Sequence, residues 1–384
     1  MFGCKASARR CSLPFDALFV PQALRVAVSD EAWFGAMIAA ERALRAAEER
    51  VGVVPPADVL HTVDLDGLAE EGRAAGNPVE PLVRALRERD EYVHWGATSQ
   101  DILDTAAALV ARNAMRLILD ELDGVAEVCA RLADEHRATV MAARTLMQQA
   151  VPTTFGLKAA SWLVGIVHAR RRLAEAGLPA QLGGAAGTLA ALGDKGIDVL
   201  RAYAEALDLP EPVLPWHTRR LPVAELGAAL AVAAGFCAKI ALDVVLLAQT
   251  EVAEVREPDG GVSSTMPHKR NPVGSVVVRA CAEHVRAACG VLLRLDHEHE
   301  RAAGAWHAEW KALSDALAYT GGAASRLHET LEGLEVDAAR MRANLRPETL
   351  SEAERFAPEA HEPDDYLGSA DTFIDRALDF YRGR

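Results

Sequence analysis

Residues 260–275, GGVSSTMPHKRNPVGS, bring together a loose backbone, hydroxyls, a cation and a helix start. Two glycines open the run, Ser263 and Ser264 supply hydroxyls, and Lys269 supplies a full positive charge. Asn271-Pro272 reads as an N-cap followed by proline at the first helical position. A helix N-terminus offers unpaired N–H groups and about half a positive charge to an anion. A loop carrying a serine and a lysine to such a terminus could close as a lid over a carboxylate. The same composition also makes an ordinary polar surface turn, and both readings stand at this point.

Two further segments have the same character. In His94–Asp101, HWGATSQD, Thr98 and Ser99 can cap a helix running on from Gln100, with Asp101 in its first turn. In Arg144–Thr154, RTLMQQAVPTT, Pro152 marks an expected helix beginning, and Arg144, Thr145 and Gln149 are polar groups in apolar company. Each alone reads as a capped helix. Three polar starts on helices that must bundle could converge on one pocket.

Other candidates weigh less. His217, between Trp216 and Thr218, is either an acid/base or a buried, hydrogen-bonded histidine. The run His297-Glu298-His299-Glu300-Arg301 looks like a metal cluster, but on the helix expected there, residues two apart face different sides, so no metal site is expected. Trp306, His307, Glu309 and Trp310 read as packing residues with polar tips. Gly183–Gly187 lacks both the G-K-[ST] ending and a preceding strand, so nucleotide binding is not supported.

The elements that must carry these groups are helices. Helical spacing of apolar residues runs through 30–50 (opening at Asp30 as N-cap), 99–136, 155–177, 222–256 and 273–318. The stretch 222–256 is apolar around much of its circumference, as a helix inside a bundle is. No strand-like alternation of useful length and no short internal repeat is visible. Gly and Pro cluster at 51–56, 75–81, 179–187, 208–215 and 257–274, which are the expected joints. They divide the chain into an N-terminal helical part (1–97), a central bundle (98–345) and a C-terminal remainder (346–384), with 346–365 expected as a polar loop or linker.

Bulk properties agree with that class. The 384 residues are half hydrophobic and only 5% aromatic, which suits closely spaced helices. Lys and Arg number 41 against 55 Asp and Glu, net −14, and no basic run with interleaved aromatics occurs, so nucleic acid is not an expected partner. The six cysteines form no C-x-x-C pair and read as reduced, mostly buried thiols. The first residues, MFGCKASARRCSLPF, lack the apolar core of a signal peptide, and no uninterrupted apolar run approaches the ~20 residues of a membrane span. A soluble, cytoplasmic protein is the expectation.

At the three segments the chain resembles a known group. SSTMPHKRNP is similar to the signature loop of the fumarase/aspartase superfamily, and HWGATSQD and RTLMQQAVPTT to its first and second shared regions. The likeness spans roughly residues 15–345. Within the superfamily, QLGGAAGTLAALG, LPWHT, HEHERAAGAWHAEW and DDYLGSADTFIDRAL resemble the family of bacterial 3-carboxy-cis,cis-muconate cycloisomerases. That implies an all-α tetrameric bundle with each active site built from three chains, no metal, nucleotide or redox cofactor, and a small polycarboxylate substrate. It implies roles for individual residues as well. Lys269 and Asn271 would hold the carboxylate next to the developing carbanion. Thr98, Ser99, Thr145 and Gln149 would hold the others. Arg144 and Arg301 would be cations for a tricarboxylate, and Ser263 would move the proton at carbon.

Two departures accompany the resemblance. Leu146 stands where fumarate-forming members carry a histidine, and the lactonising relatives carry tryptophan there and histidine at the place of Gln149. Only about twenty polar residues separate MRANL from the closing YLG motif, where the family has several helices. Two rivals remain at this stage: another superfamily lyase releasing fumarate or a relative, with an amine or nitro leaving group, and a non-catalytic structural homologue, against which Ser263, Lys269 and Asn271 speak.

Overall fold

The structure is a computed structural model that describes residues 15–57, 67–258, 261, 262, 266 and 269–383. Among the described residues its frame is eight helices of twelve or more residues: α1 (Asp30–Val51), α2 (Ser99–Glu135), α3 (Phe155–Glu175), α4 (Gly196–Leu207), α5 (Leu221–Leu247), α6 (Val273–Leu292), α7 (Ala305–Glu332) and α8 (Ala370–Arg382). Short two-stranded ladders pair β1 (Val140–Thr145) with β2 (Gln148–Thr154), β3 (Val255–Arg256) with β6 (Glu335–Val336), and β4 (Gly261–Val262) with β5 (Arg270–Asn271).

Helices α2, α3, α5, α6 and α7 run alternately up and down. Their apolar stripes meet in one core with Phe155, Trp162, Ile118 and Leu122 fully buried. Close approach fixes the contacts: a Cβ on Gly165 of α3 would stand 1.8 Å from the Phe236 ring of α5. The core continues across residue 97, because α1 packs along α2 and α4. By length and composition α5 could cross a bilayer, but half of its apolar window is buried against α3, α6 and α7. Its opposite face leaves Ala228, Val232 and Leu242 exposed.

The structure corrects several expectations. The second segment does not begin a helix at Pro152. It folds as the β1–β2 hairpin, with Val140 opposite Thr154 and Thr145 opposite Gln148. Pro152 lies opposite Ala142, beside a register shift, where a missing N–H is tolerated. Helix α3 starts later, at Phe155, with Thr154 Oγ1 accepting from Leu157 N at 3.0 Å. The expected helix 222–256 ends at Leu247. The expected helix 273–318 is two helices, broken at 293–304, where a charged stretch ends in Gly304 at φ 121°. The His297–Arg301 run is therefore a loop, and the argument from helical facing does not apply to it. Ser29, not Asp30, caps α1. The polar stretch 346–365 holds the short helices Pro347–Leu350, Ser351–Phe356 and Pro363–Tyr366, and α8 is pinned to the end of α2 by Arg137, 2.7 Å from both Asp371 and Asp375.

One buried face of α1 carries Glu41, Arg45 and Glu48, which share a side at helical spacing. Arg45 bonds Asp90 (2.8 Å) and the Pro55 carbonyl (2.7 Å), and Glu41 lies 2.6 Å from His94 Nδ1. Both Glu48 oxygens are buried without a hydrogen bond. Burial, then Glu41, pushes the Glu48 carboxyl up to about 8; Arg45 opposes and Asp90 adds to the rise. Below about pH 4.5 it is protonated in both folded and unfolded states. Between 4.5 and 8 the unfolded chain ionises first, so this group lowers stability progressively as pH rises and costs a constant amount above 8. Glu48→Gln is expected to melt at a higher temperature than the native chain at pH 8.5, with the gap closing toward pH 4.5, in thermal denaturation followed by circular dichroism.

Candidate active site

The first segment builds one pole of the bundle. Thr98 is extended (φ −131°, ψ 159°) and forms a capping box with Asp101 at the start of α2. The Asp101 carboxylate accepts four donors: Thr98 N (3.0 Å), Gly183 N and Gly184 N (2.9 Å each) and His217 Nε2 (2.7 Å). Among so many donors the Asp101 carboxylate is the acceptor, so His217 donates through Nε2. His217 is 4% exposed, and Asp101 fixes its tautomer as an acid/base would need. Arg301, on the strap between α6 and α7, donates to Thr98 Oγ1 at 2.6 Å and to the Ala185 carbonyl at 3.0 Å. Thr98, His217 and Arg301 thus come together, and Ser99 opens the helix beside them.

Beneath this pole lies a layer that the sequence reading missed. Arg220 is buried between Asp104 (2.7 and 3.0 Å) and Glu309, and Asp104 also accepts from Trp306 Nε1 (3.0 Å) and Gln100 Nε2 (3.1 Å). Burial alone would lower the Arg220 pKa, but Asp104 and Glu309 outweigh it and hold the guanidinium charged. Burial pushes the Glu309 carboxyl up and Arg220 pulls it back. A lone aspartate in the run ILDTAAALV was the available signal, because an ionised group inside a packed helix requires a partner.

The other two segments lie at the opposite pole. Arg144 donates to both oxygens of fully buried Glu254 (2.6 and 2.9 Å), so the charge offered to a substrate in the sequence reading is matched within the fold. Gln149 bridges the Asn344 carbonyl (2.8 Å) and Arg346 N (3.3 Å). Thr145 is exposed next to the hairpin tip. A cleft of about 750 Å³ opens here, lined by Arg144, Gln149, Glu251, Asn344 and Arg346. Asn271 lies in β5 and bonds the Gly261 carbonyl (3.2 Å), Pro272 takes the N-cap place, and α6 begins at Val273. Two of the free N–H groups expected there for a substrate are taken: Glu257 accepts from Gly274 N (2.9 Å) and Ser275 N (3.0 Å). Lys269 is exposed and has no ion-pair partner among the described residues. Ser263 lies outside the described residues.

The poles are far apart. Helix α2 has 37 residues and at 1.5 Å per residue is about 55 Å long, with Thr98 at one end and the hairpin beyond the other. The expected convergence of the three segments does not occur within one chain.

A family model described as Lyase matches residues 64–287. The chain is 46% identical to 3-carboxy-cis,cis-muconate cycloisomerase of Bradyrhizobium diazoefficiens, over 84% of this chain and 77% of that protein. It is 48% identical to nitrosuccinate lyase of Streptomyces davaonensis, over 84% of this chain and 74% of that protein. Its fold is similar to the crystal structure of 3-carboxy-cis,cis-muconate lactonizing enzyme from Pseudomonas putida, with TM-score 0.88 and 35% identity, covering 97% of this chain and 99% of that one.

Gly183 tests the first pole. A Cβ there would stand 2.8 Å from Pro215 and 2.9 Å from His217 Cε1. Gly183→Ala is expected to displace His217 from Asp101 and destabilise the protein by about 1–3 kcal/mol, the usual cost of overpacking, as a lower urea midpoint with an unchanged slope.

Proposed function

The chain belongs to the fumarase/aspartase superfamily of lyases, and from that premise we propose that it is a 3-carboxy-cis,cis-muconate cycloisomerase acting as a homotetramer in the cytoplasm. The observation that carries the reading is the set of three motif segments, with the Asp101–His217 pair and Arg301 assembled at the first pole. The similarity to cycloisomerases over most of the chain supports the same substrate class.

In the proposed reaction a substrate carboxylate oxygen bonds to a carbon of the conjugated diene. The π electrons move to the carbon next to a second carboxylate, which becomes an aci-carboxylate dianion, and a proton then arrives at that carbon. The product is a γ-lactone, and atoms balance with no other reactant. The barrier falls as fixed positive charge and donors face the dianion. Lys269 and Asn271 supply these, Arg301 with Thr98 and Ser99 holds a further carboxylate, and Thr145 and Gln149 flank the substrate from the hairpin. Arg144 acts through Glu254 by holding that hairpin. Ser263 delivers the proton, a role that requires water to be excluded and a cation such as Lys269 to come close. His217, backed by Asp101, is the other acid/base at the first pole. No metal or cofactor has a step in this scheme.

Assembly completes the site. Since the two poles of one chain are about 55 Å apart, the second pole of one subunit must meet the first pole of another. Two exposed apolar features support this: the α5 face bearing Val232 and Leu242, and the hairpin tip, where Leu146 (φ 49°) is 97% exposed and Met147 (φ 68°) is 67% exposed. Left-handed turns of this kind favour Asn-Gly, so an apolar pair open to water is better explained by a covering subunit.

A second reading is a nitrosuccinate-type elimination, favoured by the 48% identity to that lyase. Ultraviolet assays of the purified protein with 3-carboxymuconate and with nitrosuccinate separate the two: lactone formation is expected, and fumarate release from nitrosuccinate alone would replace the first reading with the second.

Ser263→Ala is expected to lower kcat by ~10²–10⁴-fold with an unchanged circular dichroism spectrum, the usual loss for one positioned acid/base. Lys269→Met is expected to lower kcat and raise KM together, because the carboxylate it faces is charged in both ground and transition states. Near-native turnover in Ser263→Ala would remove the serine from the scheme. Light scattering is expected to give a four-chain mass at micromolar concentration, and an active monomer would refute the shared site.

A further inference from the structure

We infer that His297 is a positioning residue, which seats the strap 293–304 so that Arg301 reaches Thr98; the inference rests on reading the first pole as a substrate-binding one. Most of that strap faces water: Arg294, Leu295, Asp296, Glu298, His299 and Glu300 are exposed. Two side chains are withdrawn. The His297 ring is 0% exposed and Ala302 is 6% exposed, and they flank Arg301. The strap is therefore held at two points, with the functional cation beside one and four residues from the other.

Packing does not account for a histidine at the first point. Neither ring nitrogen makes a hydrogen bond, and Nε2 stands 3.4 Å from Glu309 Oε1. A leucine would fill the same volume without burying two polar atoms. What histidine adds is a polar ring nitrogen close beside the Glu309 carboxylate. Glu309 holds Arg220, Arg220 holds Asp104, and Asp104 lies in the second turn of α2. Arg301 reaches the start of the same helix through Thr98. The strap thus grips one helix start from two sides, and a third tie runs from Thr218 Oγ1 to the His299 carbonyl (2.9 Å).

Charged groups around the ring set its response to pH. Glu309 faces it from α7 and Arg220 from the segment entering α5, with Asp104 of α2 beyond; Arg294, Asp296 and Glu298 lie on the strap itself. Burial first, and Arg220 next, lower the His297 pKa below its ordinary 6.5. The seated ring is held neutral, with Nε2 beside the Glu309 carboxylate. A released strap would take up a proton below about pH 6.5 that the seated one refuses, so seating is strongest above 6.5 and weakens as pH falls.

The test compares native protein, Arg301→Ala, His297→Leu and His297→Gln in steady-state kinetics with 3-carboxymuconate from pH 5.5 to 8, together with hydrogen–deuterium exchange of residues 293–304. His297→Leu is expected to raise KM roughly tenfold at pH 7.5 with kcat within about twofold, the pattern of lost uniform binding. His297→Gln, which keeps an N–H for Glu309, is expected to restore KM and to abolish the rise in KM that the native protein shows below pH 6.5. A raised KM in Arg301→Ala with an unchanged KM in His297→Leu would overturn the inference and leave the functional reading standing. If no substrate turns over, exchange still decides: the strap must open faster in His297→Leu than in the native protein, with Gln restoring protection, and equal rates overturn it. If His297→Leu does not fold, the native strap must exchange faster below pH 6.5 while the His297→Gln strap does not; a strap indifferent to pH in both overturns it.

Discussion

The Asp101 carboxylate holds together a helix cap, a glycine loop and a histidine drawn from three separate parts of the chain. Its oxygens take the Thr98, Gly183 and Gly184 amides and His217 Nε2. Without it the start of α2 would lose its cap, the 183–184 turn its anchor and His217 its tautomer. The layer below repeats the scheme with sign reversed, a buried guanidinium between two acids. Replacing a buried ion pair by apolar residues is often neutral or stabilising, so net stability is a weak reason for this layer. Its evident product is geometry: it places the strap, α7 and the first turns of α2 in one arrangement.

The second pole follows another logic. Its most conspicuous cation, Arg144, is matched by Glu254, which also accepts from Asn344 Nδ2 at 2.9 Å. The start of α6 is occupied by Glu257. These ties fix the hairpin and the ladder β4–β5 to the body of the bundle, and they leave Lys269 exposed. A pole built this way presents a fixed rim and a forward charge, whereas the first pole presents a buried histidine–aspartate pair and a clamped arginine. In the proposed assembly the two are complementary halves, and the length of α2 keeps one chain from closing them on each other.

Much of this was readable from local pattern. Helix class, the capped start at Thr98, the joints near 51–56 and 208–215, and the three polar segments rest on rules that act over four residues or fewer: i to i+4 bonding, caps, and Gly and Pro backbone limits. Local rules erred where tertiary contacts outvoted them. Gln148–Thr154 reads as a helix entry because of Pro152, yet pairing with Val140–Thr145 makes it a strand. Residues 293–304 carry helix-compatible residues, yet the strap leaves the helix so that Arg301 can return to Thr98.

What the sequence by itself determined is the helical class, the superfamily and the residue types available for chemistry. What only the tertiary structure decided is which charge answers which. Arg220 finds Asp104 across 116 positions, Arg144 finds Glu254 across 110, and Arg301 finds Thr98 across 203. Nothing in local periodicity encodes these partners, because an ion pair depends on distance in space and on how far burial strips away water. The same holds for the separation of the poles: helix α2 is visible as a pattern, but its role as a spacer appears only once both of its ends have neighbours.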